Sequence, residues 1–503
     1  MIGNWWIIYG YDLKTKRRLL FLWSIVAILF ISVALRFHHA VADRRFHGDE
    51  AYFGAFARRA AVNGDWLLSG ALDKPPLTIY LNALGMMFWG VQPQVSGVLD
   101  IQVRHAEFAI RITQSFLGIL TIAVLIAIIR QLNVTTRSTL IVGLCVACSP
   151  LLIAFHASGF TDTLLLLCLS CSVWMALRLQ AGWAGVWIGI GFLAKQQALL
   201  AIPLILGILW VTGKPRIISS QFTLSVLLKR GMRFSVGLGL GMLIFVVWDA
   251  VRNIQPGVLT LAVQHNPVGS WQTEHTLFQR LEVWGQFFNL VFGVVIWAFL
   301  GLLIVRFKKL SLNQRRIACL MVAYGVGYVI FHVGLVLNTY DRYVLMLVPC
   351  FVVICALGFD QLQGRAVFGV GSGALIVSIL GVSSAPYQQP AAVSSFAVYD
   401  DLQAVSAFLD AQPTASIIYD HWVGWELSFY LDTWSDKRLA YYPTPEALTA
   451  ELSLNATTDP RFMVVPQEID FSAWETALNA ENYWVIPVYS GTTLTVVQLT
   501  ATE

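Results

Sequence analysis

The chain has 503 residues, of which 57% are hydrophobic and only 12% are charged. Apolar runs long enough to cross a hydrocarbon layer of about 30 Å recur along it, which excludes a soluble globular protein and predicts a polytopic membrane protein. The formal net charge of +4 comes without a block of basic residues, so nothing in the sequence indicates a nucleic-acid partner.

The apolar runs are continuous in Leu, Ile, Val and Phe, which favours membrane helices over the alternating strands of a barrel. The first run follows a short basic segment, but it is longer than the ~7–15 residues of a signal-peptide core, so we expect it to be retained. We predict eleven spans, the fifth of them short, at residues 19–37, 111–130, 139–155, 161–177, 183–194, 197–212, 234–250, 283–305, 317–337, 343–359 and 366–384.

The distribution of Lys and Arg predicts the orientation, because short positively charged loops stay in the cytoplasm. With a cytoplasmic N-terminus, the inner loops collect Arg130, Arg137, Arg178, Lys214, Arg216, Lys229, Arg230, Arg233, Arg306, Lys308, Lys309, Arg315, Arg316 and Arg365. Reading residues 183–212 as one span would invert every later loop and destroy this bias. Two parts then face outward. One is loop 38–110, which belongs to a membrane module of residues 1–387 and contains interface helices, and the other is the tail 388–503.

The tail predicts a small extracytoplasmic α/β domain. It alternates the strand-like runs "SIIYD", "FMVVP", "YWVIPVY" and "TLTVVQL" with the helical runs "DDLQAVSAFLD" and "TPEALTAEL". In the second helical run, Thr444 is an expected N-cap with Pro445 at the first helical position.

Small residues spaced four apart predict close contacts between helices. The three motifs are Gly185-xxx-Gly189, Gly237-xxx-Gly241 and Gly369-xxx-Gly373. The pairs Cys145-x-x-Cys148 and Cys168-x-x-Cys171 have zinc-ribbon spacing, but they lie in or beside apolar spans with no local histidine or carboxylate ligand. We therefore interpret these cysteines as small buried residues and expect no metal site and no disulfide framework.

Loop 38–110 contains an unusual group of charges. Asp49 and Glu50 stand together in "RFHGDEAYFGAFARRAAVNGDW", whose apolar residues repeat at helical spacing and predict an amphipathic helix on the outer membrane surface. Acids in a first helical turn commonly serve only as helix caps. Lys74 follows in "LDKPPLTIY", before an apolar run suited to the interface, where a lysine commonly just extends its charge towards water.

Two further charged positions fall on the same predicted membrane face. Asp162 begins the fourth span in "SGFTDTLLLL", and Asp341 with Arg342 precedes the tenth span in "NTYDRYVLMLVP". Acids and bases gathered on one side of a lipid-embedded bundle fit sugar transfer from a lipid phosphate. A carboxylate would take the proton of an acceptor hydroxyl, and cations would stabilise the leaving phosphate.

At these residues the sequence resembles the GT-C class of polyprenyl-phosphate-sugar-dependent glycosyltransferases. It is most similar to glycosyltransferase family 39, which contains the protein O-mannosyltransferases, and to the related lipid A aminoarabinose transferases. Five landmarks carry the resemblance in order: "GDEAYFGAFARRAAVNGDW", "DKPPLTIYL", "SGFTDTLLLL", "GIGFLAKQQALL" and "DRYVLMLVP". It extends from about residue 18 to residue 349 and more loosely into the tail.

The resemblance implies a helical GT-C membrane protein that is an inverting transferase with an extracytoplasmic site. It implies that Asp49 is the catalytic base, with Glu50 beside it, and that Asp162 is a second acid near the acceptor. It assigns Lys74, and less directly Arg342, to the donor phosphate. The remaining candidate substrate contacts are Tyr52, Lys195, Tyr340 and His265.

Two departures from the family bear on the acceptor and the donor. The β-trefoil insertion of eukaryotic protein mannosyltransferases is absent, which puts a protein acceptor in doubt. Lys74 replaces the histidine that precedes the two prolines in many members. In "QHNPVGSWQTEHTL", His265, Trp271, Glu274 and His275 are candidate contacts to the sugar or the acceptor. The two histidines with one acid form a poor metal signature, and solvated loop polarity is the better interpretation of all four.

The expected partners are a polyprenyl-phosphate-sugar donor, a glycan, lipid or protein acceptor, and membrane lipid, in a bacterial inner membrane. The sequence requires no cofactor and leaves the use of a divalent cation open. The alternative function is a lipid-linked-sugar flippase or transporter with an outer sensory domain, which charged residues within the spans would favour. The predicted spans contain almost no charged residues, which argues against transport. A third hypothesis is an inactive scaffold built on the same fold.

Overall fold

The structure is a computed structural model of the chain. It describes residues 13–42, 44–213, 220–268, 276–293, 295–337, 340–362, 364–384, 399–454 and 459–501. Trp271, Glu274 and His275 of the predicted polar loop, and Lys214 and Arg216 of a predicted inner loop, lie outside these residues.

The described residues are predominantly helical. The α-helices are α1 Leu13–Ala40, α2 Gly48–Asn63, α3 Leu77–Trp89, α4 Val103–Gln131, α5 Thr136–Ala147, α6 Pro150–His156, α7 Asp162–Leu177, α8 Ala181–Ala194, α9 Ile202–Thr212, α10 Ser220–Arg252, α11 Val258–His265, α12 Leu277–Phe292, α13 Val295–Arg306, α14 Leu312–Gly334, α15 Val348–Phe359, α16 Arg365–Ser384, α17 Leu402–Asp410, α18 Gly424–Tyr430, α19 Pro445–Leu454 and α20 Ser472–Ala480. Three 3-10 helices are Gln196–Ala201, Phe307–Lys309 and Asp341–Leu347. The strands are β1 Gln92–Pro93, β2 Leu99–Asp100, β3 Ile417–Asp420, β4 Arg438–Tyr441, β5 Arg461–Pro466, β6 Tyr483–Ser490 and β7 Leu494–Ala501.

Within the described residues, five helical segments are long and apolar enough to cross a membrane, or up to seven if each of two bent helix pairs is one span. The five are Thr15–Ala40, Val103–Gln131, Ser225–Arg252, Leu312–Gly334 and Asp341–Phe359. The bent pairs are α5 with α6, and α12 with the segment Val295–Lys309. The other four predicted spans coincide with shorter apolar helices, so the number eleven stays a prediction.

Two predicted spans are broken and not straight. The axes of α5 and α6 differ by 56°, because Pro150 begins α6 and cannot donate a main-chain hydrogen bond to α5. Arg36 compensates for the break by donating from Nη1 to the carbonyl of Ala147, 3.0 Å away. The axes of α12 and α13 differ by 94°, and Gly293 between them has φ +61°, a left-handed conformation that favours glycine.

Two of the three glycine motifs lie at a close helix contact, between α8 and α10. A Cβ on Gly185 would lie 2.0 Å from the carbonyl oxygen of Phe234, and one on Gly241 would lie 2.6 Å from the Cα of Gly189. The prediction for Gly369-xxx-Gly373 is wrong, because a Cβ on either glycine would meet no described atom within 4 Å. Gly371 between them makes the close contact in α16, against Ile141 and Phe359.

Residues 399–501 contain a five-stranded mixed sheet in the order β4-β3-β5-β7-β6, which we call the C-terminal domain. Strands β4, β3 and β5 run parallel, and β7 pairs antiparallel with both β5 and β6. The four predicted strand runs coincide with β3, β5, β6 and β7, and the two helical runs coincide with α17 and α19. The sequence analysis did not predict β4, α18 or α20.

The C-terminal domain packs on the membrane module through α18 and α2. Arg58 of α2 donates from Nη1 to the carbonyls of Phe429 and Leu431, at 2.7 and 2.6 Å. The ring of Phe46, just before α2, lies 4.8 Å from that of Phe429. The sequence predicts an amphipathic surface helix here, whereas 12 of the 16 residues of α2 are buried. The difference arises because the C-terminal domain covers the face that was expected to meet solvent.

Candidate active site

The first turn of α2 separates the roles of the two neighbouring acids. Glu50 is 3% exposed, and its Oε2 accepts from the main-chain N–H of His47 at 3.2 Å, which closes a capping box. Its Oε1 accepts from the N–H of Gly159 at 2.7 Å, which ties α2 to the loop before α7. The helix cap itself is His47, whose Nδ1 accepts from the N–H of Asp49 at 3.1 Å. Glu50 therefore holds the local structure and leaves the side chain of Asp49, 37% exposed, available for chemistry.

Arg342 is the basic partner of Asp49. Its Nη1 lies 2.7 Å from Asp49 Oδ2, and its guanidinium carbon lies 5.0 Å and 4.6 Å from the ring centroids of Phe160 and Tyr340. Its Nε is buried and has no hydrogen-bond partner among the described residues. The 3-10 helix Asp341–Leu347 thus holds a guanidinium in place between two rings and Asp49.

A second acid–base pair is buried near the first. Lys195 Nζ lies 2.7 Å from Asp162 Oδ1, and the two side chains are 7% and 2% exposed. Lys195 stands between α8 and the 3-10 helix Gln196–Ala201, where its extended backbone ends α8. Its Nζ also lies 5.3 Å from the ring centroid of Tyr343, close to Arg342 in sequence. Because the charges of Asp49 and Asp162 both act on Arg342, the two pairs form one electrostatic cluster.

Lys74 enters this cluster from the loop between α2 and α3. Its Nζ lies 2.5 Å from Asp73 Oδ2, which His265 Nδ1 also contacts at 3.2 Å. Tyr52 fixes the loop, since its hydroxyl donates to the Ala71 carbonyl at 3.0 Å and accepts from the Asp73 N–H at 3.1 Å.

The same loop is tied to the residue after Lys195. Gln196 Nε2 donates to the Asp73 carbonyl at 2.9 Å. This bond holds the Lys74 loop against the segment that carries the buried pair.

The charges around Asp49 set its protonation state. Burial alone would raise its pKa, but the positive charge of Arg342, with smaller effects of His47 and Lys74, holds the pKa below its ordinary value. Burial would likewise raise the pKa of Asp73, but Lys74 and His265 keep it low. Both carboxyl groups are therefore anionic at neutral pH.

The structure brings most of the sequence-predicted residues together: Asp49, Glu50, Lys74, Asp162, Lys195, Tyr340 and Arg342. Tyr52 holds the Lys74 loop, and His265 lies at the edge with 56% of its side chain exposed. Four residues of the site were not predicted from the sequence: Asp73, Phe160, Gln196 and Tyr343. The sequence offers a clue to Asp73 and Gln196, because each is next to a lysine that is itself a candidate site residue.

The described residues contain no group of three or more His, Cys, Asp or Glu side chains placed to hold a metal ion. Asp49 and Asp162 each pair with a basic side chain. In this arrangement their negative charges are balanced by the protein.

Comparisons with known proteins bear on the fold of this chain. Residues 73–229 match the family model described as dolichyl-phosphate-mannose-protein mannosyltransferase. No curated protein sequence gives a significant match.

Three solved structures resemble nearly the whole chain. ArnT from Cupriavidus metallidurans, bound to undecaprenyl phosphate, has a TM-score of 0.62 at 15% identity, over 96% of this chain and 98% of that one. AglB is the oligosaccharyltransferase of Archaeoglobus fulgidus, solved in complex with an inhibitory peptide and a dolichol-phosphate. Its TM-score is 0.55 at 11% identity, over 97% of this chain and 75% of that one. The arabinofuranosyltransferase AftD from Mycobacteria has a TM-score of 0.51 at 14% identity, over 95% of this chain and 42% of that one. The fold that the sequence landmarks predict is thereby confirmed: the chain has the GT-C glycosyltransferase fold.

Proposed function

We propose that the protein is an inverting glycosyltransferase that moves a sugar from a polyprenyl-phosphate-linked donor to an acceptor hydroxyl on the extracytoplasmic membrane face. The observation that carries the proposal is the contact of 2.7 Å between Asp49 and Arg342, with Lys74 and Lys195 close by. A partly exposed carboxylate beside several fixed cations suits a reaction that needs one base and one anionic leaving group.

The donor phosphate belongs on the cationic side of the cluster. Among the described residues Arg342 Nε has no hydrogen-bond partner, so it can donate to a phosphate oxygen without losing the contact of Nη1 to Asp49. Lys74 holds a charge-assisted bond to Asp73 that a phosphate can replace or share. Fixed cations stabilise the charge that grows on the phosphate as the bond to the sugar breaks.

The chemical step is a single displacement at the anomeric carbon of the sugar. The acceptor oxygen forms a bond to that carbon while the bond to the phosphate oxygen breaks, and the electron pair stays with polyprenyl phosphate. The acceptor proton passes to Asp49. Attack from the side opposite the phosphate inverts the anomeric configuration, and no covalent enzyme intermediate forms.

Donor binding also raises the pKa of the general base, Asp49. Arg342 lowers the pKa of Asp49, although burial acts in the opposite direction. A phosphate that shares the guanidinium charge weakens this effect, so the basicity of Asp49 rises when the donor is present. The empty site is thus a poor base and the loaded site a better one.

The flippase or transporter hypothesis is less well supported. The solved structures with the same fold include transferases described with a polyprenyl or dolichyl phosphate, which favours sugar transfer. The extracytoplasmic location rests on the Lys and Arg distribution of the loops.

The test uses purified full-length protein with a panel of polyprenyl-phosphate sugars and with glycan, lipid and peptide hydroxyl acceptors. We expect release of free polyprenyl phosphate, measured by mass spectrometry, and a product of inverted configuration. The matched control is Asp49→Asn, which removes the base and keeps the shape. Movement of intact lipid-linked sugar across vesicles, with no polyprenyl phosphate released from any donor, would instead establish the flippase.

A further inference from the structure

Glu426 of the C-terminal domain lies against the first turn of α2. A Cβ added to Gly48 would lie 3.0 Å from Glu426 Oε1, so this carboxyl group contacts the residue directly before Asp49. Glu426 is 5% exposed. The mechanism above does not use it, and its position on α18 could not be read from the sequence.

The helix that carries Glu426 is held firmly on α2. The Tyr430 hydroxyl accepts from the main-chain N–H of Phe46 at 2.8 Å, and Arg58 bonds two carbonyls at the end of α18. The ring of Trp425 lies 4.2 Å from that of Tyr52, the residue that fixes the Lys74 loop. The position of Glu426 relative to Asp49 is therefore set by contacts at both ends of α18.

We propose that Glu426 is a positioning residue by which the C-terminal domain sets the orientation and the charge environment of Asp49. The inference rests on the proposed function, in which Asp49 is the base. It gives the C-terminal domain a role in the chemical step, because the domain supplies a carboxyl group to the turn that carries the base.

The surroundings of Glu426 favour its neutral form. Burial raises its pKa to about 8, and the negative charges of Asp420 and Asp49 add to the effect. The titratable groups that face it are Asp49 on α2, Asp420 at the end of β3, and Tyr399 before α17. When Glu426 ionises, its carboxylate adds a buried negative charge next to the anionic Asp49. The two negative charges repel each other, which pushes on the first turn of α2.

This coupling must be reciprocal, since the charge of Asp49 raises the pKa of Glu426 as much as the charge of Glu426 raises that of Asp49. Ionised Glu426 makes Asp49 more basic, but it also repels Asp49 from the position it needs to reach the acceptor. We expect the displacement to dominate, so in the wild type turnover should fall as the pH rises through about 8. One pH unit above that midpoint, about one tenth of the Glu426 groups keep their proton, so the expected loss is about tenfold.

The variant Glu426→Gln keeps the shape of the neutral acid and cannot ionise. We expect near-normal kcat at pH 7 and loss of the alkaline decline, with an unchanged KM for the donor. The matched control is Glu475→Gln on an exposed position of α20, which should retain the wild-type profile. Gly48→Ala, which crowds Glu426, should lower kcat without changing the donor KM. Coincident pH profiles for wild type and Glu426→Gln would overturn the inference.

A second measurement does not depend on turnover. The infrared band of a protonated carboxyl group should be present in the wild type at pH 7, disappear above about pH 8, and be absent in Glu426→Gln. In Asp49→Asn the same band should titrate at lower pH, because the neighbouring negative charge is gone. An identical midpoint in Asp49→Asn would disprove the coupling. Wild-type protein that turns over no donor, with the coupling intact, would instead refute the proposed function.

Discussion

Arg342 Nη1 lies 2.7 Å from Asp49 Oδ2, which joins the loop before α15 to the first turn of α2. The contact brings the partly exposed carboxylate of Asp49 and the largely buried guanidinium of Arg342 together, at the point where α2, α7 and the 3-10 helix Asp341–Leu347 meet. Glu50, not Asp49, closes the capping box of α2, so a purely structural role for Asp49 is poorly supported.

Asp49→Asn should separate chemistry from stability. Loss of a general base typically lowers turnover about 10²–10⁴-fold, whereas the cap of α2 is His47 and remains intact. We expect the variant to stay folded, with a lower melting temperature because Arg342 loses its charged partner, and to transfer sugar at least about 100-fold more slowly. The measurements are thermal unfolding and release of polyprenyl phosphate, with Asp100→Asn in the same loop as the control. Near-normal turnover would move the base elsewhere, with Asp162 the first candidate.

Arg342→Gln should move the acidic limb of the pH–rate profile to higher pH. Burial favours the neutral form of Asp49 and Arg342 favours the anion, so removing Arg342 raises the pKa of Asp49. Because the native pKa lies below the unfolded value, Asp49 contributes stability at neutral pH that is lost as the pH falls through the native pKa. The variant should lack that contribution, as measured by unfolding at several pH values. An unshifted acidic limb, with Arg365→Gln as the control, would argue against this pairing in solution.

Lys74→Ala should weaken donor use. A charge-assisted bond from a lysine to a phosphate contributes about 1.5–3 kcal/mol, which corresponds to roughly a 10- to 100-fold higher donor KM. Asp73 would lose its partner Lys74 but keep His265, so the fold should survive. Exposed Lys308→Ala is the control. Unchanged donor kinetics in a folded variant would leave Lys74 as a lysine that merely extends its charge towards water.

The predicted topology can be tested by labelling. In a cysteine-free background, Ser472→Cys in the C-terminal domain should react with a membrane-impermeant thiol reagent in intact cells, and Asn313→Cys at the start of α14 should not. Both positions are exposed in the structure, so a difference reports the side of the membrane. The reverse pattern would place the site and the C-terminal domain in the cytoplasm.

The sequence predicted the acids and bases of the site better than their partners. Asp49, Lys74, Asp162 and Arg342 were found because charges are conspicuous among apolar helices and these fall on one predicted membrane face. Lys195 was found only through the family resemblance. The pairing of Asp49 with Arg342 joins residues far apart in the chain. No periodicity encodes such a contact, since it depends on how the helices pack.

The missed elements have a similar cause. Helix α18 has seven residues, too few for a helical pattern to stand out, and its importance comes from its contact with α2. The bend at Pro150 could have been predicted, because proline disrupts the helical hydrogen bonds before it. Gly293 gave a weaker signal, since glycine also occurs inside straight membrane helices. Local rules thus located the apolar helices, while tertiary packing determined the bends and the domain contact.

The buried pair of Lys195 and Asp162 should contribute to stability and to activity in different ways. With both side chains nearly excluded from solvent, either Lys195→Met or Asp162→Asn alone leaves an uncompensated buried charge, which typically costs about 3–5 kcal/mol. The double variant has no such charge and should recover much of the lost stability, so the two effects should be strongly non-additive. Activity should not recover in the same way. If Lys195 helps to hold the donor phosphate, the double variant should melt near wild type but transfer sugar slowly, because its KM for the donor is raised. Thermal unfolding and donor kinetics of all four proteins separate these effects. Additive losses of stability would show that the contact of 2.7 Å contributes no coupling, and full activity in the stable double variant would remove Lys195 from the donor site.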